Sequence, residues 1–294
     1  MQDARFRMRD PRCGIQDAGY GIVDQGSGIG DNQVLRPLVY AHRGGAALRP
    51  ENTIEAFDHG LALGADGLEF DVRLTRDGVV VVHHDHVLER TTSGRGPIGA
   101  CSAGEVRALD AGYWFKPTDA GHDFPFRGAG ISVPVVADVL ARYPGIPLII
   151  ELKQNLPELA RRTVDLIRAA GAVDRVALGS FSWHVLRVAR ACEPRLATGA
   201  SREETRLALY RSWVGWPLKR ARYREFQVPE KSGPTRIVSR RFIRHAHRAG
   251  LPVKVWTVND AGDMRRLLDW GVDAIITDRP DVAVGVISEG QPRW

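Results

Sequence analysis

Residues 68–85 read Leu-Glu-Phe-Asp-Val-Arg-Leu-Thr-Arg-Asp-Gly-Val-Val-Val-Val-His-His-Asp, with two acids before a turn and two histidines after it. Glu69 and Asp71 lie two positions apart in an apolar run, so both side chains leave the same face of a predicted strand. Arg-Asp-Gly at 76–78 is a turn pattern, and the valine run at 79–82 predicts a second strand. The stretch therefore predicts a tight β-hairpin that carries acids on one face.

The register of this hairpin decides what the acids face. If the strands fold back about the turn, residue 71 lies opposite roughly residue 82, and the histidine pair lies beside the acids. Adjacent strand residues point to opposite faces, so only one of His83 and His84 can face the site. We select His84, which is followed by Asp85. The hairpin predicts a site for a hard cation with an imidazole next to it.

Short apolar strands alternate with helical stretches from Leu38 onward, which is the pattern of βα units and a parallel sheet. The turn at 76–78 is too short for a crossover helix, so one strand of the hairpin lies outside the parallel set and eight remain. The sequence thus predicts a (β/α)8 TIM barrel. The candidate strands are 38–41, 67–73, 79–83, 147–152, 175–180, 195–200, 225–229, 252–258 and 273–277.

The length fits one such barrel. The chain has 294 residues, 44% of them hydrophobic, and a (β/α)8 barrel takes about 250. Residues 1–36 are rich in glycine without a sustained period, and we interpret them as a flexible leader before a single domain over 37–294. About 60 glycine- and proline-rich residues, approximately 86–146, form a predicted insertion. We expect it to cap the strand ends and to shape a substrate pocket.

Composition excludes several function classes. The formal net charge of +6 would suit a polyanion, but no zinc finger, RNA-recognition or basic-zipper pattern accompanies it, so we predict no nucleic-acid partner. Three widely spaced cysteines argue against a disulfide framework and a structural zinc site. With neither an 18-residue apolar run nor a signal-peptide pattern, the expected location is cytoplasmic. The sequence carries no indication of oligomeric state.

Four polar clusters follow predicted strands: His42-Arg43, Glu69-x-Asp71, His84-Asp85 and Glu151-x-Lys153. In a (β/α)8 barrel the carboxyl ends of the strands form the face on which active sites are built. Each cluster by itself has a structural explanation, such as a hydrogen-bonded core histidine or a surface alternation. Their common position favours one shared site.

The residue types indicate phosphodiester cleavage. Glu151 follows a continuous buried-type run and needs a cation, and three carboxylates without cysteine suit one divalent cation, Mg²⁺ or Ca²⁺, better than zinc. His42 and His84 are suitable as general acid and general base, in either order. Arg43 and Lys153 are suitable clamps for a phosphate.

Seven motifs then match a known family in the right order. They are Ala-His-Arg-Gly-Gly (41–45), Pro-Glu-Asn-Thr (50–53), Leu-Glu-Phe-Asp-Val (68–72), Val-His-His-Asp (82–85), Glu-Leu-Lys (151–153), Val-Trp-Thr-Val-Asn (255–259) and Gly-Val-Asp-Ala-Ile-Ile-Thr-Asp-Arg-Pro (271–280). Over roughly residues 38–285 the chain closely resembles glycerophosphodiester phosphodiesterases. The resemblance implies a barrel of the phospholipase-C-like phosphodiesterase class and release of glycerol 3-phosphate and an alcohol.

The resemblance also assigns residues. It implies a divalent cation on Glu69, Asp71 and Glu151, catalytic His42 and His84, and Arg43 and Lys153 on the phosphate. It places Trp256 at the glycerol end of the pocket, and Glu51 and Asn52 at its rim. Asn52-Thr53-Ile54-Glu55 is also a capping-box pattern, so helix capping is the alternative role for these two residues.

One segment is similar to the lysophospholipase D branch of that family. The segment comprises residues 210–218, which are apolar and aromatic and lie beside the basic run at 219–224, and residues 224–230. Tryptophan together with lysine and arginine favours peripheral membrane contact through 210–224 and an acylated, lysophospholipid substrate. A helix packed on the barrel explains the same residues. Two further alternatives are a lyase that releases a cyclic phosphate and a catalytically silent phospholipid-binding barrel.

Overall fold

Eight parallel strands close into a barrel, as the sequence predicts. The computed structural model describes residues 36–117 and 123–289, so the predicted leader, apart from Arg36, lies outside the described residues. The strands are β1 (Leu38–His42), β2 (Gly67–Leu74), β3 (Val80–Val82), β4 (Leu148–Leu152), β5 (Val176–Gly179), β6 (Ala197–Thr198), β7 (Phe226–Pro229), β8 (Lys231–Ser232), β9 (Thr235–Arg236), β10 (Val253–Trp256) and β11 (Ala274–Thr277).

Hydrogen bonding gives the order β6-β5-β4-β2-β1-β11-β10-β7. A parallel bridge between Gly199 and Glu225 joins the two ends of that order, where the amide of Ala200 donates to the Glu225 carbonyl over 3.0 Å. The sheet is therefore closed, and the fold is the (β/α)8 TIM barrel. Every residue of β2 except Arg73 is buried, because helices cover its outer face and side chains fill the barrel within.

Nine helices are present in the described residues. They are α1 (Ile54–Ala62), α2 (Ala103–Arg107), α3 (Val136–Arg142), α4 (Pro157–Ala169), α5 (Trp183–Cys192), α6 (Arg202–Val214), α7 (Arg240–His247), α8 (Ala261–Trp270) and α9 (Pro280–Glu289). Side-chain caps at Ser182, Ser201, Ser239 and Asp260 accept backbone hydrogen bonds and begin four of them. Three of these caps, at Ser182, Ser201 and Asp260, follow a barrel strand within four residues, so the loops there are short.

The hairpin forms with a register one residue away from the prediction. Val72 pairs with Val82, and the amide of His83 donates to the Asp71 carbonyl over 2.9 Å, so Asp71 lies opposite His83 and not residue 82. The loop sets this register, because the amide of Thr75 donates to the Val79 carbonyl over 3.1 Å across the three residues 76–78, and Gly78 closes the loop with a left-handed φ of 76°.

The predicted insertion has its own small core. Val81 of β3 packs with Leu88, Ile98, Val106 and further apolar residues of the segment. The last part of the segment is α3, which is a barrel helix in the main core. None of the described residues between 86 and 146 lines the large pocket at the strand ends, so a cap over the site stays a prediction. Several apolar side chains of the segment pack against β3 and one another, whereas Trp114 is exposed.

Candidate active site

The parallel register brings the predicted site residues together. His42 of β1 is the Cα partner of Glu69 on β2, and Asp71 of β2 is the partner of Glu151 on β4. Neighbouring strands lie about 4.8 Å apart, so these four side chains are adjacent at the carboxyl ends of three strands. His84 follows β3 and lines the same pocket, whereas the Nε2 of His83 lies 3.1 Å from the Val87 carbonyl.

Three carboxylates form the centre of the site. One oxygen from each of Glu69, Asp71 and Glu151 lies within 4.8 Å of the others. Burial, reinforced by the other two carboxylates, raises the pKa of Glu69 to about 8 although His42 opposes the shift. Burial also raises the pKa of Glu151, against the attraction of Lys153. The raised pKa values show that the surrounding positive charge is too small to keep all three carboxylates ionised.

Two cations partly compensate for the acids. The Nζ of Lys153 lies 2.8 Å from Glu151 Oε2 and 3.2 Å from Asp71 Oδ1, and the Nε of Arg43 lies 3.0 Å from Asp71 Oδ2. Asp71 Oδ1 is nevertheless buried without a well-aligned hydrogen bond among the described residues. The donor atoms are all oxygens, one of them is buried without a hydrogen bond, and the pKa of Glu69 is raised. These three properties fit a hard divalent cation.

Asn52 orients Asp71 and does not cap the helix. Its Nδ2 donates to Asp71 Oδ2 over 3.0 Å, and its Oδ1 accepts from the Asp71 amide over 3.2 Å. The helix cap is Thr53, whose Oγ1 accepts from the Ala56 amide, so the capping alternative for Asn52 is wrong. Asn52 and Arg43 both have left-handed φ values, 60° and 52°. Such strain in non-glycine residues, about 1–3 kcal/mol each, is typical of functional sites.

Glu51 links two arginines at the rim. It accepts from Arg43 over 2.8 Å and from both terminal nitrogens of Arg90 over 2.7 Å. Burial would raise the pKa of Glu51, but the two guanidinium groups hold it below its ordinary value. Arg90 also donates to Asp85, so a residue of the insertion supports the site indirectly.

Each catalytic candidate histidine bonds to its own aspartate. The Nδ1 of His42 lies 2.6 Å from Asp278 Oδ1, and the Nδ1 of His84 lies 2.5 Å from Asp85 Oδ1. Both aspartates have a pKa below the ordinary value, since their hydrogen bonds outweigh the opposing effect of burial. An ionised carboxylate can only accept, so we assign the proton to Nδ1 in both rings, which directs Nε2 to the site.

The two histidines differ in electrostatic surroundings. Burial lowers the pKa of His42, but Glu69 and Asp278 outweigh it, and the pKa lies above its ordinary value. At His84 burial prevails over the attraction of Asp71, and the pKa lies below its ordinary value. Each shift includes a carboxylate of the acidic cluster among its causes, so a cation bound there would change both.

The site opens into a pocket of about 840 Å³. Trp256 lies in its wall, in edge-to-face contact with Phe181 at 5.9 Å between centroids. Much of the outer wall comes from one face of α6 and from the β8–β9 hairpin with the residue after it. The sequence predicted neither the hairpin nor the contribution of Phe181, because both depend on which loops fold over the barrel mouth. Lining residues on these elements include Leu209, Tyr210, Trp213, Lys231, Thr235 and Ile237.

Asp278 is a site residue that sequence reasoning missed. It lies in the Thr-Asp-Arg-Pro motif at 277–280, which was noted only as part of a resemblance. Its Oδ2 accepts from Asn259 over 2.8 Å, and Asn259 in turn accepts from the Asp278 amide. This pair of bonds fixes the carboxylate that bonds to His42. Its position could have identified it from the sequence, because Asp278 is a polar residue directly after the last predicted strand, 273–277.

We expect Asp278→Asn to lower kcat at least about tenfold with little change in KM, because an amide facing Nδ1 favours the wrong histidine tautomer. The measurement is steady-state kinetics over a range of pH, where the pH profile should also move. Asp281→Asn, which affects only the nearby pair with Arg279, is the matched control. A D278N enzyme as active as D281N, with the same pH profile, would contradict the positioning role.

Known proteins share this sequence and fold. Residues 42–282 match the glycerophosphoryl diester phosphodiesterase family. A glycerophosphodiester phosphodiesterase of Caldanaerobacter subterraneus subsp. tengcongensis is 31% identical over 268 residues, which cover 87% of this chain and 100% of the relative. One from Bacillus subtilis is 30% identical, with 84% and 85% covered. The crystal structure of glycerophosphodiester phosphodiesterase from Agrobacterium tumefaciens superimposes with a TM-score of 0.68 at 29% identity, covering 85% of this chain and 99% of that one.

Proposed function

This chain belongs to the glycerophosphoryl diester phosphodiesterase family and is a phosphoric diester hydrolase, and we propose that it cleaves glycerophosphodiesters to glycerol 3-phosphate and an alcohol with one divalent cation. The observation that carries the proposal is the convergence of three carboxylates with two aspartate-bonded histidines at one pocket. Glu69, Asp71 and Glu151 would hold Mg²⁺ or Ca²⁺ there.

When bound, the cation would supply positive charge for a phosphodiester oxygen. The other steps belong to the side chains. Arg43 and Lys153 lie beside the acidic cluster and add donors for the phosphate. His42 and His84 line the same pocket and come from different strands, so one would take a proton from the nucleophile and the other would protonate the leaving oxygen. Trp256 gives the glycerol an apolar wall.

A lysophospholipid substrate is the second candidate. The specific observation in its favour is that the pocket, at about 840 Å³, continues along α6 past Leu209, Tyr210 and Trp213. This volume exceeds what a glycerophosphate group needs, and pockets of 300–1,000 Å³ typically bury drug-sized ligands. An apolar wall of this kind would accommodate part of an acyl chain, in which case the product would be lysophosphatidic acid.

A substrate panel tests the proposal. We expect turnover of glycerophosphocholine or glycerophosphoethanolamine, and the lysophospholipid counterparts measure the second candidate. Phosphorus NMR of the products should show a phosphate monoester from the start, because a water molecule is the proposed nucleophile. A persistent cyclic phosphate would replace hydrolysis by attack of the substrate's own hydroxyl. No turnover of any diester with cation present would contradict the proposed function altogether.

A further inference from the structure

A second cleft, of about 230 Å³, lies between the end of α6 and helix α7. Its charged lining comes from α7, where Arg241, Arg244 and Arg248 follow at three- and four-residue spacing and so share one face. The remaining lining residues are Ser212, Gly215 and His245. Gly215 ends α6 with a left-handed φ of 72°, which turns the chain sharply at the edge of the cleft.

The positive charge of this cleft is uncompensated. Within residues 36–117 and 123–289, no carboxylate lies within 4.0 Å of the three arginines, whereas Arg190, Arg236 and Arg266 elsewhere each pair with a glutamate. His245 is only 8% exposed, and its Nε2 is buried with no hydrogen-bond partner in the described part of the chain. A buried polar atom without a partner is unfavourable, so this lining suits an anionic ligand.

An apolar surface adjoins the cleft. Half of the ten exposed large hydrophobic side chains among the described residues lie on α6 and the turn after it, and we call them the α6 apolar surface: Leu207, Tyr210, Trp213, Val214 and Trp216. Trp216 is 64% exposed, and the guanidinium of Arg211 lies 6.0 Å from its ring centroid. Exposed apolar patches of this kind mark interaction sites.

We propose that the α6–α7 face docks on an anionic phospholipid bilayer, with the arginine cleft binding lipid phosphate and the α6 apolar surface entering the interface. Uncompensated arginines complement anionic headgroups, and tryptophan and tyrosine are the side chains that favour the membrane–water boundary. A nucleic acid would match the charge but would leave Val214 and Leu207 exposed to water. None of the helices in the described residues combines the length and the hydropathy that crossing a bilayer requires.

The docking face is continuous with the active-site pocket. Tyr210 and Trp213 belong to the α6 apolar surface and also line that pocket, so one helix separates the phosphate cleft from the catalytic groups. Docking would therefore hold the pocket beside the lipid surface. The inference concerns binding alone and goes beyond the proposed function, since it holds whether or not the bound lipid is hydrolysed.

Vesicle co-sedimentation tests the proposal, with vesicles of phosphatidylcholine alone and with phosphatidylglycerol added. The test variants are R241Q/R244Q and V214S/W216S, and the control R95Q/K116Q removes two exposed charges from the insertion. Each basic residue near an anionic surface contributes about 1 kcal/mol, so R241Q/R244Q should bind phosphatidylglycerol vesicles about thirtyfold more weakly than the unsubstituted protein. The control should change binding less than about threefold, because its charges lie elsewhere.

The outcomes separate a bilayer from other partners. Three results would each overturn the proposal. The protein binds both vesicle types equally, the R95Q/K116Q control loses as much binding as R241Q/R244Q, or V214S/W216S binds as well as the unsubstituted protein. Competition by inorganic phosphate together with unchanged binding by V214S/W216S would reveal a phosphate site only, which also overturns it. Circular dichroism and turnover of a small soluble diester verify that each variant is folded. If a double variant does not fold, the single variant R244Q or W216S is measured in its place.

Discussion

Replacing His42 or His84 with alanine should lower kcat/KM by at least about 10²-fold, the smallest effect typical of a lost general acid or base. Both side chains line the pocket that contains the acidic cluster, and each has Nδ1 bonded to an aspartate, so alanine removes a proton-transfer group whose orientation is fixed. Steady-state kinetics with a soluble glycerophosphodiester give the loss.

His86→Ala is the matched control for this experiment. The residue lies two positions after His84 and is exposed, and its backbone carbonyl accepts from the amide of Ile98. The H86A enzyme should keep its activity. An H42A or H84A enzyme that unfolds normally in circular dichroism and keeps more than about a tenth of the original kcat/KM would remove that histidine from the mechanism.

Removing the divalent cation should abolish activity, and Mg²⁺ or Ca²⁺ should restore it, because two buried carboxylates and the half-buried Glu151 at one point need a cation to act together. A binding measurement tests the site without turnover. A cation at about 100 times its Kd stabilises the folded state by about 2.7 kcal/mol, so thermal unfolding should shift upward with cation. Glu69→Gln, which removes one ligand charge, should greatly reduce that shift.

The metal-free protein should also show a diagnostic pH dependence. The pKa of Glu69 rises from 4.5 to about 8 on folding, so the folded state keeps a proton that the unfolded chain releases. Stability contributed by this proton is present below about pH 4.5 and is lost as the pH rises toward 8. The E69Q protein carries no titrating group at this position, so its stability should not fall in this way between pH 4.5 and 8. Full activity in chelator, or a cation shift retained by E69Q, would contradict the assigned site.

Local spacing was sufficient to predict which acids the fold brings together at the candidate site. Alternation within β2 sets Glu69 and Asp71 on one face, and the lack of room for a crossover helix requires the hairpin that follows. The carboxyl ends of parallel strands necessarily meet at one edge of a barrel, so Glu151 could be added from its position after a buried strand. The approximate pairing of residue 71 with residue 82 was one residue short, because the three-residue loop 76–78 sets Asp71 opposite His83.

The supporting residues could not be predicted, because they depend on barrel closure and loop packing. Asp278 lies 236 positions from His42 and reaches it only because β11 pairs with β1. Asn52 carries a capping pattern, but its left-handed backbone turns the side chain to Asp71.

The sequence by itself determined the barrel and the edge at which the acids and histidines of the candidate site lie, because strand period and strand ends are local properties of the chain. Only the tertiary structure decided that α6 and the β8–β9 hairpin, and none of the described residues of the insertion, wall the pocket. It also decided that uncompensated arginines adjoin an apolar surface at the end of α6. Composition fixes how much apolar and charged surface a chain has, but packing selects which part of it remains exposed.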